Sequence, residues 1–596
     1  MMLRELYRIG LEMKRERGPE WPVEMYEERK IRWEVWLTED ATLRPNGVKS
    51  FDPKDKAAGR IYAPDVYRSG KKPPPYLVVD KPEYVLGVGK DGEKQHEAYL
   101  ALLDECACAT GKQGVRAIRD YLSSHRSQLR DEMARQGLTE NGDAKKTTQA
   151  RDWINFKVGD AYPIEAPEIS AWWAQYTRDE IKDSDEVCCI SRIRGKVTRK
   201  FPVSIPVVEL DERGRERRKP CRLASVDSPA CKSYGFDKSD HAPMSHDAAL
   251  IAGTALKLML SDEESSKRLG DVNFAFWTRE KRVRSGIGAL ISGRPEDEAK
   301  LADVKALLEG RQVYPAADKF YMLAITNTES RIVIRASIEA ALGEVIGSFR
   351  DWSASVAVCG PGADLPSIWS LHTALQVSNE RQNRNTAIAL VERAFFGAAL
   401  DRALYASVFP RIESSIHRRD SRSNKKAPQW RCPLKEHVSI IKLYLSQSNE
   451  EVKDLVALNE SFRSVAYQYG RLMAVYEAIQ IDASPNVQST VTERFFSPMM
   501  LNPIRTVAKL DVLSKHHLRV VTRDKGKGAA VNLEKRLEAI NWQIECLDAA
   551  ACGGLSLDDR GLFVLGYWHE RFRTYNPSKH REETQDETES ADDQQD

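Results

Sequence analysis

The sequence predicts an α+β fold, in which a mixed α/β N-terminal body precedes an all-helical C-terminal bundle. Strand-like segments with period-two alternation occur only before about residue 340. From Leu365 onward, apolar residues recur at steps of three and four, as they do on helices. At 596 residues the chain is also too long for one hydrophobic core. We therefore expect an N-terminal body at 1–364, a helical domain at 365–577 and a disordered acidic tail at 578–596.

The first part of the chain predicts helices and strands in alternation. Residues 3–17 carry apolar side chains at helical spacing and stop at Gly18-Pro19, so a helix opens the chain. Residues 32–37 alternate with period two and residues 76–80 form a short apolar run, so both segments predict strands. Residues 94–108 predict the next helix.

The middle of the chain predicts further strands around one helix. Strand-like pieces at 186–194 open a basic region, and the apolar stretch at 248–260 predicts a helix. A further strand is expected at 319–327. These segments complete the mixed N-terminal body.

The most regular helical pattern lies in the C-terminal third. The apolar residues of 465–480 form one stripe on a helix, with Arg471 and Glu477 off that stripe. We therefore expect an amphipathic helix with one face toward the core. Helices are expected over 434–447 and 450–480, and the apolar cluster at 561–572 is expected to close the same unit.

Composition indicates a soluble globular protein, with 41% hydrophobic and 30% charged residues. No window approaches the ~18 consecutive apolar residues of a membrane span, and the N-terminus lacks the apolar core of a signal peptide. We expect a cytoplasmic protein with no membrane partner.

The ten cysteines include no C-x-x-C pair, so we expect no structural disulfide, no metal and no cofactor.

Positive charge is concentrated in three blocks of the sequence. The last fifteen residues carry a charge of −8, which leaves +10 for residues 1–581. The blocks at 192–222, 411–435 and 505–527 have charges of +7, +6 and +5. Such blocks are typical of a surface that follows a phosphate backbone, although each alone can also be a solvated loop. The candidate phosphate ligands in the first and third blocks are Arg192, Arg194, Lys196, Arg505, Lys509, Lys515, Arg519, Arg523, Lys525 and Lys527.

No motif for catalysis is present in the sequence. There is no P-loop, no H-E-x-x-H, no G-x-S-x-G and no Cys/His set with metal spacing. Gly87 to Gly92 fits G-x-G-x-x-G, but its middle residues are Lys and Asp, so we interpret it as a turn. His516 and His517 point about 100° apart on a helix and are no chelating pair; we expect one in the core and one beside phosphate. We therefore expect no catalytic residue and a protein that binds without chemistry of its own.

Several short motifs nevertheless resemble one known family. They are Ala466-Tyr467, Gly470-Arg471-Leu472, Thr490 to Phe496, His516-His517-Leu518 and Leu555 to Tyr567. Together they resemble the C-terminal part of the large subunit of the type I-C CRISPR interference complex (Cascade), the Csd1-type family. The resemblance extends from Leu3 to His569 and is most specific in about the last 130 residues. It implies that the last part of the helical domain is similar to the small subunit of such complexes.

The loop at 68–75 combines Gly70 with two lysines and three prolines. In such a loop Arg68, Lys71 or Lys72 can donate to base edges while Ser69 contacts phosphate, although an exposed turn is the alternative. The resemblance implies that this loop reads the short motif that flanks the target, the PAM.

The resemblance also matches Arg331 and Arg335 to an R-x-x-x-R pattern of the family. These two arginines are therefore candidate phosphate ligands, with a buried ion pair as the alternative.

The function implied by the resemblance is that of a non-catalytic subunit of an RNA-guided complex. The chain would read the PAM on double-stranded DNA, help to open the duplex, hold the displaced strand and help to recruit a helicase-nuclease. Its implied partners are the guide RNA, the backbone subunits, the guide-processing subunit and the small subunit. Relatives also make the C-terminal domain from an internal start, for which Met473 and a valine-encoded start are equal candidates. The alternatives are a scaffold that binds only RNA and protein and, from Gly87 to Gly92 alone, a nucleotide-binding enzyme.

Overall fold

The computed structural model describes most of the chain, with several gaps. The described residues are 2–52, 55, 58–65, 73–138, 152–198, 200–211, 215–224, 235–236, 240, 242–279, 281–292, 317–328, 331–360, 365–376, 384–418, 434–485, 489–547 and 554–575. They form two compact units. Unit one comprises Met1–Val207, Arg218–Leu258 and Asn327–Val333, and unit two comprises Val208–Arg217, Met259–Thr326 and Ile334–Asp596.

Unit one is built around a long strand. Its first strands are β1 (Tyr26–Leu37), β2 (Leu43–Ser50), β3 (Arg60–Pro64) and β4 (Trp153–Val158), and its first helices are α1 (Met2–Arg17), α2 (Pro82–Val85), α3 (Gly92–Thr110), α4 (Gln113–Arg135) and α5 (Pro167–Tyr176). Strand β1 pairs antiparallel with β2 and β3 and parallel with β4. Trp33, Val35 and Leu37 alternate along β1 and are buried, as the period-two pattern predicts.

The predicted strand at 76–80 is wrong. Tyr76, Leu77, Val78 and Val79 are buried, but they form no ladder, and only Asp80 bridges to β4. Val78 has a φ of +62°, and the Tyr76 N–H donates to an Asp80 carboxylate oxygen at 2.8 Å. Residues 76–79 therefore form a buried turn, because the φ angle of Val78 lies outside the extended region that pairing with another strand requires.

The glycine-rich segment after this turn is itself a turn, as predicted. It lies between two helices, α2 and α3, rather than after a strand. Gly87 and Gly89 have φ angles of +65° and +97°, and a Cβ on Gly92 would lie 2.3 Å from the Gly87 carbonyl oxygen. These glycines are required by the local backbone, which is sufficient to explain the motif.

After residue 180, the described residues up to 261 form two small sheets and one α-helix. These elements are β5 (Ile181–Val187), β6 (Arg194–Thr198), β7 (Ile205–Leu210), β8 (Glu216–Cys221) and α6 (His246–Ser261). Strands β5 and β6 form an antiparallel hairpin, and β7 pairs with β8. Helix α6 confirms the helix predicted at 248–260.

Unit two joins a four-stranded sheet to a series of helices. The sheet, in the order β12-β11-β10-β9, comprises β9 (Ser266–Leu269), β10 (Val272–Trp277), β11 (Lys319–Thr328) and most of β12 (Arg331–Ala341). The helices are α7 (Lys281–Ser292), α8 (Leu342–Val356), α9 (Ile368–Ala374), α10 (Arg384–Phe396), α11 (Arg402–Ala406), α12 (Val408–Arg418), α13 (Leu434–Leu445), α14 (Glu450–Lys453), α15 (Val465–Ala483), α16 (Val491–Leu501), α17 (Pro503–Lys525), α18 (Lys527–Cys546) and α19 (Leu557–Tyr575).

These elements confirm the α+β class, and the regular structure of the described residues after 365 is helical. One apolar cluster runs from the sheet through the helices, from Leu269 to Tyr567. The single helix predicted over 450–480 is wrong, because α14 and α15 are separated by residues 454–464. The division into domains at residue 364 stays a prediction, and the acidic tail lies outside the described residues. Within the described ranges, no helix has both the length and the apolar composition to cross a membrane.

Helix α15 is buried on every side, not on one face as the sequence predicts. Arg471 and Glu477 lie off the apolar stripe but are 3% and 4% exposed, because α19 supplies partners for both. The Arg471 Nε donates to Glu570 at 3.0 Å, and Glu477 accepts from Arg571 at 3.0 Å and from the Tyr567 hydroxyl at 2.8 Å.

Two glycines allow α15 and α19 to approach closely. A Cβ on Gly470 would lie 1.9 Å from the Phe563 carbonyl oxygen, and a Cβ on Gly566 would lie 2.1 Å from the Tyr467 carbonyl oxygen. Because real Cβ atoms do not reach such distances, only glycine fits at either position. The sequence motifs that contain Gly470 and Gly566 therefore lie where these two helices contact each other.

A fully buried carboxylate connects three helices of this bundle. We define the Glu570 network as Glu570, Arg471, Arg536, Arg573 and Glu460. Glu570 has no exposed side-chain surface and binds Arg471 of α15 at 3.0 Å, Arg573 of its own helix at 2.6 Å and Arg536 of α18. Burial by itself raises the pKa of Glu570, but the charges of Arg573, Arg471 and Arg536 outweigh it and hold that pKa below its ordinary value of 4.5.

Candidate nucleic-acid interface

Helix α17 presents one face to the core and a charged face to solvent. The Asn502 side chain caps its first turn by accepting from the Arg505 N–H at 3.4 Å, and Pro503 occupies a position that needs no amide hydrogen. The buried residues follow one stripe at steps of three and four, and they are Pro503, Thr506, Leu510, Ser514, Leu518 and Val521. This stripe packs against α15, which leaves the opposite side of α17 exposed.

The exposed side carries the cations that the charge block predicts. Arg505, Lys509, Lys515, Arg519 and Arg523 are all exposed, and we define them as the basic face of α17. At 100° per residue they fall within about 120° of the helix circumference, and the row is about 27 Å long. A row of this length can follow several consecutive phosphates.

Acidic residues do not neutralise this face. Asp511 turns toward α15, where it accepts a hydrogen bond from Tyr476. Asp524 pairs with its neighbour Arg523 at 2.6 Å, and this hydrogen bond lowers the pKa of Asp524. Arg505, Lys509, Lys515 and Arg519 form no ion pair with any described residue.

Two predicted phosphate ligands beyond the basic face differ in their surroundings. The Lys525 ammonium binds Asp482 of α15 at 2.6 Å, so its first role is to fix the end of α17. Lys527 is exposed at the start of α18 and has no ion-pair partner in the described part of the chain. The basic face therefore includes five of the seven cations named from the third block.

The two adjacent histidines separate as the helix geometry predicts. His516 is exposed beside the basic face, whereas His517 is half-buried. Burial lowers the pKa of His517, and the neighbouring His516 lowers it further. The described residues contain no group of three or more His, Cys, Asp or Glu side chains that could hold a metal ion.

Apolar residues on the same helix pair were missed by the sequence analysis. Val512 is 69% exposed and Ile504 46%, and both lie among the cations of α17. Trp542 of α18 is 66% exposed. For Val512 and Ile504, the available signal was their position outside the buried stripe that includes Leu510, Ser514 and Leu518, which a helical wheel displays. Exposed aromatic and aliphatic side chains next to cations can stack on or pack against unpaired bases.

The first residues of the first basic block, 192–196, lie at the turn and on the second strand of the β5–β6 hairpin. Arg192, Arg194 and Lys196 are exposed there, and Ile193 between them is 67% exposed. Arg192 has a φ of +66°, a left-handed conformation that is unusual for a residue with a Cβ. The hairpin therefore presents cations around one apolar side chain.

A buried thiol holds this turn. The Cys188 sulfur accepts from the Ser245 N–H at 3.1 Å and from the Ile190 and Ser191 N–H groups at 3.4 Å each. Burial opposes ionisation of the Cys188 thiol, but the hydrogen bonds from Ser191 and Ser245 outweigh it and lower its pKa to about 7. The Arg192 N–H donates to the Cys188 carbonyl at 2.9 Å, which closes the turn.

Strand β12 carries the two arginines of the R-x-x-x-R pattern. Arg331 and Arg335 are both exposed, which excludes the alternative of a buried ion pair. The Arg335 Nε donates to the Thr326 hydroxyl on β11 at 2.9 Å. The Ile332 N–H next to Arg331 donates to the Arg222 carbonyl at 3.0 Å.

The predicted PAM residues Arg68, Ser69, Lys71 and Lys72 lie outside the described residues, but both ends of their loop are described. At the first end, the Asp65 N–H donates to the Met25 carbonyl at 2.6 Å, and its carboxylate binds Arg29 at 2.5 Å. At the other end, the Tyr84 hydroxyl donates to the Pro73 carbonyl at 2.8 Å. The loop therefore begins and ends at fixed points of unit one.

Arg29 also fixes the second end of this loop. Its guanidinium lies 4.2 Å from the ring centroids of both Tyr76 and Trp153. These cation–π contacts and the Asp65 ion pair make Arg29 a common anchor for the two ends.

Of the second basic block, residues 419–433 lie outside the described residues. Arg411, at the start of this block, donates to the Ser407 carbonyl.

The family to which the chain belongs follows from a match over nearly its whole length. The family model described as CRISPR-associated protein (Cas_Csd1) matches residues 3–575. No individual curated protein matches the chain. The family match includes both compact units and ends where the described part of α19 ends, which confirms the resemblance carried by the sequence motifs. The chain therefore belongs to the CRISPR-associated Csd1 family.

Proposed function

We propose that this protein is the large subunit of a type I-C CRISPR RNA-guided complex, the Cascade of that subtype. In this role it reads the PAM on double-stranded DNA, promotes duplex opening, holds the displaced strand and helps to recruit the helicase-nuclease. The family membership supports the place in a CRISPR complex. The observation that supports DNA binding is the basic face of α17, in which four of the five cations form no ion pair with any described residue.

We assign the displaced strand to the basic face for three reasons. A single strand is flexible, so a straight row of cations about 27 Å long can bind it without a matching groove. Val512, exposed within the row, can pack against bases that have lost their pairing partners. Only Arg523 has a described acidic partner, Asp524, and Asp511 turns inward, so the other four cations meet no described acid that would compete with phosphate.

Salt dependence tests this assignment. The target affinity of the reconstituted guide complex is measured across salt concentrations for wild type and for Lys515→Glu/Arg519→Glu/Arg523→Glu. Removing three phosphate contacts from a single strand should flatten the slope of log affinity against log salt by about 2. Lys535→Glu on the exposed side of α18 is the matched control and should leave the slope close to wild type. An unchanged slope in the triple variant would instead support a scaffold that binds only RNA and protein.

We assign PAM reading to the loop that contains Arg68, Ser69, Lys71 and Lys72. The support is the family membership together with the two fixed ends of the loop at Asp65 and Pro73. A library of targets with randomised flanking motifs is selected by wild-type complex and by Lys71→Ala/Lys72→Ala. The double variant should lose motif selection, whereas Lys94→Ala on the exposed side of α3 should retain it. Retained selection in the double variant would remove the loop from the proposal.

We assign no chemical step to this chain. Guide complex that contains it should leave target DNA uncut in the presence of Mg²⁺ until the helicase-nuclease is added. Cleavage by the complex alone would contradict this part of the proposal, and the guide-processing subunit should then be tested separately to locate the activity.

A further inference from the structure

The sequence contains two segments of opposite charge that belong to the same C-terminal part of the chain. The last fifteen residues contain eight acidic and no basic residues, and the basic face of α17 has no ion-pair partner for four of its five cations within the described chain. The described residues end at Tyr575 of α19. Whether the acidic segment can reach the basic face depends on where α19 ends relative to α17, and both helices belong to unit two.

A hydrogen bond fixes the end of α19 beside α18. The Arg536 guanidinium donates to the Thr574 hydroxyl at 2.7 Å, one residue before the last described position. Arg536 also binds Glu570, so the contact belongs to the Glu570 network. The last described turn of α19 therefore lies beside the middle of α18.

The basic face is within reach of that point. Helices α17 and α18 pack against each other and are joined only by Gly526. Arg536 lies ten residues after Gly526, and Lys515 to Arg523 lie three to eleven residues before it. At 1.5 Å per residue, these groups are therefore within about 32 Å of one another, whatever angle the two helices make.

The segment after Tyr575 is long enough to cross this distance. Glu582 is seven residues beyond Tyr575, and Asp596 is 21 residues beyond it. An extended chain spans up to about 3.3 Å per residue, which gives a reach of about 23 Å at Glu582 and about 70 Å at Asp596. The whole row of cations is thus accessible to the acidic residues of the same chain.

We propose that residues 582–596 bind the basic face of α17 when no nucleic acid is present, and that they compete with a polyanionic strand for it. Tethering gives the segment a high effective concentration, so even weak ion pairs are occupied. A long strand of phosphates displaces the segment because it carries more charge and releases more counterions. The acidic segment would thus disfavour nonspecific binding of short or weakly charged polyanions. The competition, though not the docking, rests on the proposed function of the basic face.

Contact between the two parts is tested without DNA. The full-length chain is treated with a carbodiimide, which joins a carboxylate to a lysine amine only when the two are in contact, and crosslinks are mapped in the monomeric fraction. Crosslinks from 582–596 should concentrate on Lys509 and Lys515. Lys535, exposed on α18, is the matched control for random encounter. Crosslinks that are absent, or equally frequent at Lys535, would overturn the proposal.

Competition is tested with a thirty-nucleotide oligo(dT) as the probe. A full-length variant with all eight acids changed to their amides, Glu582→Gln to Asp596→Asn, should bind the probe about tenfold more tightly at low salt. The gain should persist with Lys535→Glu and disappear with Lys515→Glu/Arg519→Glu/Arg523→Glu. A gain that survives in the triple variant would show a general charge effect and overturn the competition.

The two proposals fail in distinguishable ways. If the crosslinks form but the triple variant binds oligo(dT) as wild type does, the acidic segment docks on α17 and the face is not the strand surface. If the triple variant loses oligo(dT) binding but no crosslink forms, the strand surface stands and the docking is wrong.

Discussion

The core of the C-terminal bundle and the outer face of α17 both contain several charged side chains, in opposite environments. In the core, Glu570 is fully buried and bound by three arginines. On α17, Arg505, Lys509, Lys515 and Arg519 are exposed and form no ion pair within the described residues. A buried charge must be paired to avoid a large desolvation cost, whereas an exposed cation row adds little to stability. The core charges therefore specify the fold, and the α17 charges are available for a ligand.

The largest effect on stability is expected at the crossing of α15 and α19. Gly470→Ala places a methyl group where the Phe563 carbonyl oxygen is 1.9 Å away, so the helices must separate. The free energy of unfolding should fall by about 3 kcal/mol or more. Chemical denaturation monitored by circular dichroism measures this loss.

The matched control is Gly347→Ala in the exposed part of α8, where a Cβ meets nothing within 4 Å. That variant should be more stable by about 0.5–1 kcal/mol, because alanine has the higher helix propensity. Similar stabilities for the two alanine variants would contradict a close crossing at Gly470.

Removing the central charge of the core should have the next largest effect. Glu570→Gln leaves Arg471, Arg536 and Arg573 around a neutral amide, which should cost about 3–5 kcal/mol near neutral pH. Because the folded-state pKa of Glu570 is lowered, its contribution is present above the ordinary pKa of 4.5 and is lost as the pH falls through the lower folded value. The stability difference between wild type and variant should therefore narrow below pH 4.5. A difference independent of pH would contradict ionisation of Glu570 in the fold.

A smaller, pH-dependent effect is expected at a buried lysine. Lys442 donates to the Ala354 and Ala357 carbonyls at 2.8 Å each, at the end of α8. Burial lowers its pKa from 10.5 to about 7. Between pH 7 and pH 10.5, Lys442 is protonated in the unfolded chain but largely neutral in the folded chain. The contribution of Lys442 to stability therefore increases as the pH rises.

Comparison with Lys442→Met measures this contribution. The stability of wild type minus that of the variant should rise from pH 7 toward 10 by up to about 1.4 kcal/mol per pH unit. Denaturation at several pH values gives the difference directly. A difference that stays constant or falls over this range would mean that the lysine remains charged in the fold.

The smallest effect on stability is expected on α17. Lys515→Glu/Arg519→Glu should change the free energy of unfolding by no more than about 0.5 kcal/mol per residue, since neither cation has an ion-pair partner in the described chain. The same variant should weaken binding of the guide complex to target DNA. A large loss of stability would mean that these cations belong to the fold, and the contrast with the Glu570 network would disappear.

Local patterns were sufficient to predict much of the fold. Helix α1, strand β1 and helix α6 follow from periodicity and from the residues that end them, because each element is specified by its own sequence. The motifs around Gly470 and Gly566 identified the family, and the structure adds their physical reason, which is the close approach of two backbones.

Other features depend on residues far apart in the sequence. The sequence places Arg471 and Glu477 off the apolar stripe of their helix, but Glu570 and Arg571, more than 90 residues later, pair with them in the core. The run at 76–80 has a strand composition but no partner strand. For the candidate interface, charge counting identified the basic block, whereas the inward turn of Asp511 and the exposure of Val512 required the packing of α17 on α15.

The most direct measurement of the central claim is a map of the displaced strand on the protein. Guide complex is bound to a target whose displaced strand contains 4-thiothymidine, irradiated, and digested for mass spectrometry. Crosslinked peptides should come from α17 between Arg505 and Arg523, and they should be lost in Lys515→Glu/Arg519→Glu/Arg523→Glu. Crosslinks confined to other peptides, with the target fully bound, would contradict the assignment of this face to the displaced strand.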